Sequence, residues 1–471
     1  MEKEGSERKR TRLIWGGTTV LLAVGVFALL LPAILRSIPS RYLLYLPDSL
    51  QQLGARGHAE ALPTPSFNNA DTNTRPELSA LLLAPTEFPT VAAVATVPPA
   101  VVVVSTAAVE NSEQGSATLP PTFTPQPTDI PTNTPIPSPT PLPYLPATRL
   151  TNIQHQFQSW NNCGPATIAM ALSHFEIFRK QQETADWLKP NPEDRNVSPE
   201  ELVDYVRAET DLESITRVNG DLATLKRFLS HGIPVIIETG IDPPGDYSWM
   251  DWYGHYYLVV GYDDALQQVW VYDSWLGSGE NPQGERVNSE DGRMIDYVDF
   301  DQHWRQFNRQ MVISYTADDA ELVADIIGRD NFDDTTMWRR TLERTRQELE
   351  AEPEDAYLWF NIGTIYNNLG EYELAAAAYD ESRRLGLPWR MLWYQFGPYE
   401  AYMNTGRYAD VIELADVTLF QRPYFEESYY YRGIAKIAIG ETREGQRDLQ
   451  AAADFNPRYQ LAQDALASLN Q

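Results

Sequence analysis

The chain has a single cysteine, Cys163, and the residues around it favour a reactive thiol. Cys163 directly precedes Gly164-Pro165, and an apolar pattern with helical spacing follows. At a helix N-terminus, unpaired backbone amides and the helix dipole favour the thiolate, which is the nucleophilic form of cysteine. A lone cysteine cannot form an internal disulfide, and most free cysteines are small buried hydrophobes. We therefore predict a nucleophile, with a buried structural thiol as the alternative.

A nucleophilic thiolate needs an imidazole to hold its proton, a third group to orient that imidazole, and a donor for the oxyanion. His255 begins an apolar run that continues to Asp263, and the start of a strand is a rigid position beside a cleft. Asp273 lies in the next predicted strand, over 269–275. In a hairpin of these two strands, Asp273 comes close enough to orient the His255 ring.

The other five histidines fit the base role less well. His58 lies in a segment that we predict to be a linker, and His174 lies eleven residues after the cysteine. Along one helix that separation is about 16 Å. His155, His231 and His303 remain conceivable, although their loop or helix-end positions are typical of solvated histidines. The strand histidine is therefore the predicted base.

Together these segments resemble the C39-like peptidases, a branch of the papain-like clan. Members carry a Cys-Gly-Pro helix start, a Gly-His strand followed by Gly-Tyr-Asp, and then a strand that contains aspartate. The resemblance covers about 151–315, including a helix and strand over 225–237. It implies that Cys163 is the nucleophile, His255 the base and acid, and Asp273 the orienting residue.

The oxyanion donor is less clearly indicated. Gln158 looks like the family's oxyanion-hole glutamine, but in bacteriocin transporters that glutamine usually lies one position further from the cysteine. Gln156 lies on the other side of the usual position, and Asn161 or Asn162 could share the role. We predict Gln158 and keep these alternatives open.

Residues 149–316 have the pattern of one α+β domain. Helical patterns come first, after Cys163 and after the capping sequence Ser198-Pro199-Glu200-Glu201. Short β-branched and aromatic runs follow at 234–239, 256–262, 269–275 and 311–315. Helices followed by a meander of strands predict an antiparallel sheet.

Charge and composition exclude several kinds of site. The net charge of −28 disfavours nucleic acids and anionic lipid headgroups as partners. We find no Cys/His cluster of zinc spacing and no phosphate-binding glycine loop, and we therefore expect no metal and no cofactor. Carboxylates such as Asp263, Asp264 and Glu238 are more typical of solvated or structural groups than of a glycosidase pair.

The N-terminus predicts a single-pass membrane anchor. A basic flank over 1–12 precedes an apolar stretch over 13–35 that is long enough to span a bilayer. A signal peptide is the alternative, but its apolar region is usually shorter and ends at a small-residue cleavage site. The basic flank should stay in the cytoplasm, which would place the C-terminal part outside the cell membrane.

Residues 36–148 are predicted to be a disordered linker rich in proline and threonine. Many of the 34 prolines fall in this segment, and it shows no sustained helical or strand period. Such a segment has little apolar surface to bury and favours the extended polyproline form. It would act as a stalk.

Residues 317–471 are predicted to form an all-α domain of tetratricopeptide repeats. Gly370, Gly406 and Gly440 recur at close to the motif's period of about 34 residues. The first copy also matches the motif at Trp359, Gly363, Tyr366, Ala375 and Tyr379. The middle copy is weaker, because Pro398 interrupts its first helix. We expect these repeats to bind a protein partner.

The sequence thus predicts a membrane-anchored, extracytoplasmic cysteine peptidase that cleaves a peptide or protein. In bacteriocin transporters the peptidase region is joined to an ATP-binding cassette and a multi-span membrane region. We find neither in this sequence, so a double-glycine leader peptide is not a required substrate. One alternative is a binding or scaffold protein that keeps the peptidase fold without turnover. Another is an acyl transferase, because the same three residue types serve both reactions.

Overall fold

The computed structural model describes residues 30–31, 34–35, 61–65, 142–191, 197–241, 252–275 and 292–469. The chain divides into two compact units. One consists of Met1–Ala84 and Leu142–Gln471, and the other of Pro85–Pro141. The second unit lies wholly outside the described residues. All elements below belong to the first.

One antiparallel sheet forms the centre of the first domain, which is the predicted α+β domain of residues 149–316. Its strands in the described residues are β1 (Ala147–Arg149), β2 (Glu213–Arg217), β3 (Val235–Ile241), β4 (Tyr253–Asp263), β5 (Gln268–Asp273), β6 (Arg293–Asp296) and β7 (Met311–Tyr315). Their order is β2-β7-β3-β4-β5-β6, and β1 pairs with β4. Every pairing is antiparallel. The predicted α+β domain with an antiparallel sheet is confirmed.

Helices pack against this sheet. They are α1 (Cys163–His174), α2 (Gln181–Leu188), α3 (Pro199–Glu209), α4 (Leu222–Ser230) and α5 (Tyr297–Trp304). The start of α3 has the predicted capping box, because the Ser198 side chain accepts from the Glu201 backbone N–H and Glu201 accepts from Ser198. Ile168, Met170 and Leu172 of α1 share one buried apolar core with residues of β4. This core fixes the cysteine helix relative to the histidine strand.

Strands β4 and β5 form the hairpin that the sequence predicts. The register places Tyr257 opposite Asp273, and it shifts at a bulge between Val259 and Gly261. His255 pairs with Thr239 of β3 on the other side of β4. Because side chains alternate between the two faces of a strand, His255 and Tyr257 project from the same face as Asp273.

The C-terminal region is helical. Its α-helices are α6 (Ala320–Ile327), α7 (Asp334–Ala351), α8 (Ala356–Asn368), α9 (Tyr372–Arg384), α10 (Gly397–Asn404), α11 (Tyr408–Gln421), α12 (Glu426–Ala438), α13 (Thr442–Phe455) and α14 (Gln460–Leu469). Gly370, Gly406 and Gly440 have positive φ and lie in the turns of three successive helix pairs. A 3₁₀ turn at Trp389–Trp393 precedes α10, in which Pro398 lies within the first turn.

The helical region and the first domain share an apolar core. Trp252 and Phe307, which lie before the predicted boundary at 316, belong to the buried cluster of the helical region. Ion pairs join the same surfaces, with Arg305 bound to Glu352 and Asp355. Burial of two large aromatic rings across this boundary argues against a helical region that folds without the first domain.

The predicted anchor and linker fall mainly outside the described residues. Within 13–35, residues 30–31 and 34–35 are helical. Among the residues that the structure describes, no helix combines the length and apolarity needed to cross a membrane. Two parts of the predicted 36–148 linker are described, 61–65 and 142–148. Both contact folded elements, as Leu62 bonds to Leu387 and Thr148 pairs with Tyr262.

Candidate cysteine–histidine active site

His255 and Asp273 form a buried hydrogen-bonded pair. The His255 Nε2 atom lies 3.0 Å from Asp273 Oδ1, and their side chains are 3% and 1% exposed. Asp273 is held by two further donors, the Trp275 backbone N–H at 2.8 Å and Arg293 Nη1 at 3.2 Å. The aspartate is therefore fixed on both oxygens, and it fixes the histidine ring in turn.

Cys163 lies at the first position of α1, and its thiol interacts with the His255 ring. Because the Nε2 atom of His255 bonds to Asp273, the Nδ1 atom is left for the sulfur. Burial raises the pKa of the Cys163 thiol, but the hydrogen bond and charge of His255, with help from Lys189, outweigh burial and lower the pKa overall. The site therefore favours the thiolate.

The same pair raises the pKa of the histidine. Burial lowers the pKa of His255, but the charge and hydrogen bond of Asp273, together with Cys163, outweigh burial and raise the pKa to about 9. A lowered pKa on sulfur and a raised pKa on imidazole both favour the thiolate–imidazolium ion pair over the neutral pair. The site can attack a carbonyl without first removing a proton from sulfur.

Comparisons with known proteins identify the family of one part of the chain. The model of the Peptidase_C39 like family matches residues 150–312. The chain carries a C39-like peptidase domain. A crystal structure of a provisionally assigned C39-like peptidase from Bacillus anthracis is similar at 15% identity and a TM-score of 0.27, over 36% of this chain and 98% of that one. No curated protein sequence matches the chain.

Lys189 supports the cysteine loop of the C39-like domain, a role that its position in the sequence does not predict. Its Nζ atom donates to the Asn161 backbone oxygen at 2.9 Å and to Asn162 Oδ1 at 3.2 Å. Asn161 has a positive φ of 57°, which asparagine tolerates better than most residues. The lysine follows α2, and nothing in its local sequence marks it as a neighbour of a loop 28 residues earlier.

The two glutamines before the cysteine, Gln156 and Gln158, differ in their hydrogen bonds. The backbone N–H of Gln158 donates to the Ser274 oxygen at 2.8 Å, and Ser274 Oγ donates to Gln158 Oε1 at 2.9 Å. Its Nε2 makes no hydrogen bond with any residue that the structure describes. In Gln156, by contrast, Nε2 donates to the Arg179 oxygen and Oε1 accepts from the Gln181 N–H. Of the two, Gln158 keeps a free donor.

Both polar atoms of the Asn162 side chain are also hydrogen-bonded. Its Oδ1 atom accepts from Lys189, and its Nδ2 atom donates to Gln181 Oε1 at 3.4 Å. The side chain is 6% exposed. Asn162 therefore shapes the loop before the C39-like domain's cysteine and has little capacity left to bind an oxyanion. Asn161 contributes its backbone oxygen to Lys189.

Three of the remaining histidines bind backbone oxygens in the described part of the chain. His155 contacts the Asp273 oxygen at 2.9 Å, His174 the Gly232 oxygen at 2.8 Å, and His231 the Arg227 oxygen at 2.8 Å. His303 lies in α5, and His58 lies outside the described residues. The His155 ring therefore contacts the backbone of the orienting aspartate and not its carboxylate.

Glu238, which we predict from the sequence to be a solvated or structural carboxylate, is a buried acid. It lies on β3 opposite Tyr256, is 3% exposed, and its Oε1 has no hydrogen-bond partner in the described part of the structure. Burial, followed by the charges of Glu200 and Cys163, raises its pKa well above the usual value.

Within the described residues, no group of three His, Cys, Asp or Glu side chains is placed to hold a metal ion.

Proposed function

We propose that the C39-like domain is a cysteine peptidase in which Cys163, His255 and Asp273 are the catalytic residues. The observation that carries the proposal is the hydrogen bond between the buried Asp273 carboxylate and His255, the residue that lowers the pKa of the Cys163 thiol. This arrangement brings a thiol that favours the thiolate, an imidazole that favours the imidazolium and an orienting carboxylate together beside the start of α1. Papain-like chemistry requires these three parts.

The reaction proceeds in two halves. The Cys163 thiolate attacks the carbonyl carbon of the scissile amide, and the carbonyl electrons move to oxygen. His255 then donates its proton to the leaving amine as the C–N bond breaks, which leaves a thioester on sulfur. In the second half, His255 takes a proton from water, the hydroxide attacks the thioester, and the acid leaves as the thiolate reforms. Asp273 keeps the imidazole ring oriented throughout.

The oxyanion is bound by the Gln158 Nε2 donor and by the backbone N–H of Cys163 at the start of α1. The contacts of Gln158 with Ser274 support this assignment, because they anchor the glutamine at its main chain and Oε1 while Nε2 stays free. Donors held in place before the reaction stabilise the developing charge more effectively than water.

The chain around the peptidase domain gives the proposal its setting. The apolar stretch over 13–35 would anchor the protein in the cell membrane, with the peptidase domain outside. The three helix pairs with turn glycines at 370, 406 and 440 would be tetratricopeptide repeats that bind a protein partner. N-terminal sequencing of the membrane-extracted protein tests the anchor, and a start beyond Ser37 would refute it.

Cleavage is tested by incubating the full-length protein in detergent with a proteome-derived peptide library and sequencing the new N-termini. We expect new N-termini with the wild type and none with Cys163→Ser or His255→Ala. Retained peptide capture without cleavage in the wild type would instead indicate a binding or scaffold protein. Products in which an acyl group is joined to an added amine would indicate an acyl transferase.

A further inference from the structure

Residues Ala61–Pro65 lie against the helical region as an extended segment. The Leu62 N–H donates to the Leu387 oxygen at 2.9 Å, and Ala61 forms an antiparallel bridge with Pro388. The Leu62 side chain is 2% exposed and belongs to the same apolar core as Leu387. A segment from the predicted linker thus buries its one large apolar side chain and uses its backbone as a strand would.

A buried arginine also binds this segment. The Arg383 Nε atom donates to the Pro63 oxygen at 2.8 Å, and the Arg383 side chain is 1% exposed. Its two terminal nitrogens bind Asp410 at 2.9 Å and Glu413 at 3.1 Å. The carboxylates neutralise the guanidinium and fix its plane, while its Nε–H points at a peptide carbonyl. A buried charge held in this way is a preorganised binding site for a peptide carbonyl.

The chemistry of the segment matches the surface. Proline has no N–H, so Pro63 and Pro65 present only carbonyl oxygens, one of which meets Arg383. The residue before a proline favours an extended backbone, which Leu62 needs here. Less conformational entropy is therefore lost on docking than for a flexible segment.

We propose that the surface formed by Arg383, Leu387 and Pro388 is a binding site for an extended Leu-Pro peptide, occupied in cis by Leu62-Pro63. The linker is then fixed to the helical region at this point instead of being free over 36–148. Because a tethered segment acts at high effective concentration, a Leu-Pro peptide from another protein must displace it to bind. The proposal does not depend on peptidase activity.

Disulfide trapping in the full chain tests the cis contact. A Cβ built on Gly386 lies 3.7 Å from the Ala61 Cβ, within the roughly 3.5–4.5 Å that disulfides require. In a Cys163→Ser background, we expect Ala61→Cys with Gly386→Cys to cross-link under mild oxidation. The control pairs Ala61→Cys with Gly370→Cys, a helix-end glycine that also has positive φ and open space around it. Equal cross-linking of both pairs would overturn the proposal.

Peptide binding gives a second test that needs no change in the glycine turn. Full-length Leu62→Asp protein should expose the site, because the buried leucine no longer docks. We expect a fluorescent peptide of residues 59–66 to bind this variant at least about tenfold more tightly than it binds the wild type. The same peptide with aspartate in place of Leu62 should not bind. Equal affinity for variant and wild type, or no binding to the variant, would refute a peptide site.

Discussion

The Tyr394 ring of the helical region packs against the backbone of Gly254, the residue directly before His255. A Cβ built on Gly254 would lie 3.0 Å from Cδ1 and Cε1 of Tyr394, closer than nearly all real contacts. The Tyr394 ring also meets Trp252 edge-on, with centroids 5.9 Å apart. The strand start that carries the proposed base is therefore supported by Tyr394 of the C-terminal region.

Tyr394→Ala should slow turnover while the protein stays folded. Removing the ring leaves space behind Gly254, and misplacement of a catalytic group by about 1 Å can cost on the order of 100-fold in rate. We expect kcat to fall at least about tenfold with a smaller change in KM, and Tyr394→Phe to restore it. Tyr372→Ala, in the same helical region, is the matched control. A kcat unchanged by Tyr394→Ala would show that the helices do not position His255.

The Cys163 thiol should react at mildly acidic pH. Since His255 lowers its pKa, alkylation by iodoacetamide should stay fast well below the unperturbed thiol value of about 8.5. His255→Ala removes the hydrogen bond and the positive charge but keeps the burial, so the profile should move toward alkaline pH. Mass spectrometry of the single cysteine measures the rate directly.

Asp273→Asn tests the orientation of the His255 imidazole separately from the ionisation of Cys163. Asp273 orients the imidazole and does not ionise the sulfur directly, so hydrolysis should fall more than the rate of alkylation. Slow alkylation of folded protein at every pH, insensitive to either substitution, would instead identify Cys163 as a buried structural thiol.

Gln158→Ala should lower kcat by roughly 10²–10³-fold, the usual effect of removing one oxyanion donor. Alkylation of Cys163 should change little, because iodoacetamide forms no tetrahedral oxyanion. Gln154→Ala is the control, since Gln154 is an exposed glutamine of the same loop. Equal losses of kcat in the two variants would mean that the loop, and not the Gln158 amide, matters for turnover.

Glu238→Gln should stabilise the fold at neutral pH. An acid whose pKa is raised by burial favours the folded state fully below its unfolded pKa, near 4.3, and that contribution is lost as pH rises toward the folded pKa. The variant should therefore melt at a higher temperature than the wild type at pH 7.5 and at nearly the same temperature at pH 4. The control is Glu343→Gln, at an exposed position of α7. A variant that is less stable at pH 7.5 would show that the Glu238 carboxylate has an undetected partner.

Several features of this protein follow from local sequence alone. The cysteine at a helix start, the strand histidine and the aspartate of the next strand were predictable because helix caps, strand periods and hairpin neighbours depend on residues close along the chain. The helix pairs with turn glycines were predictable for the same reason, since the left-handed turn after a helix favours glycine wherever it occurs.

Contacts between distant segments required the tertiary structure. Lys189, Arg293 and Tyr394 support the site from elements whose own sequences carry no sign of it. The structure also distinguished Gln158 from Gln156, because only packing decides which amide is consumed by backbone partners. Likewise, the docking of Leu62 depends on a buried Arg383 more than 300 residues later. Local patterns determine elements, whereas burial and hydrogen-bond partners depend on how those elements meet.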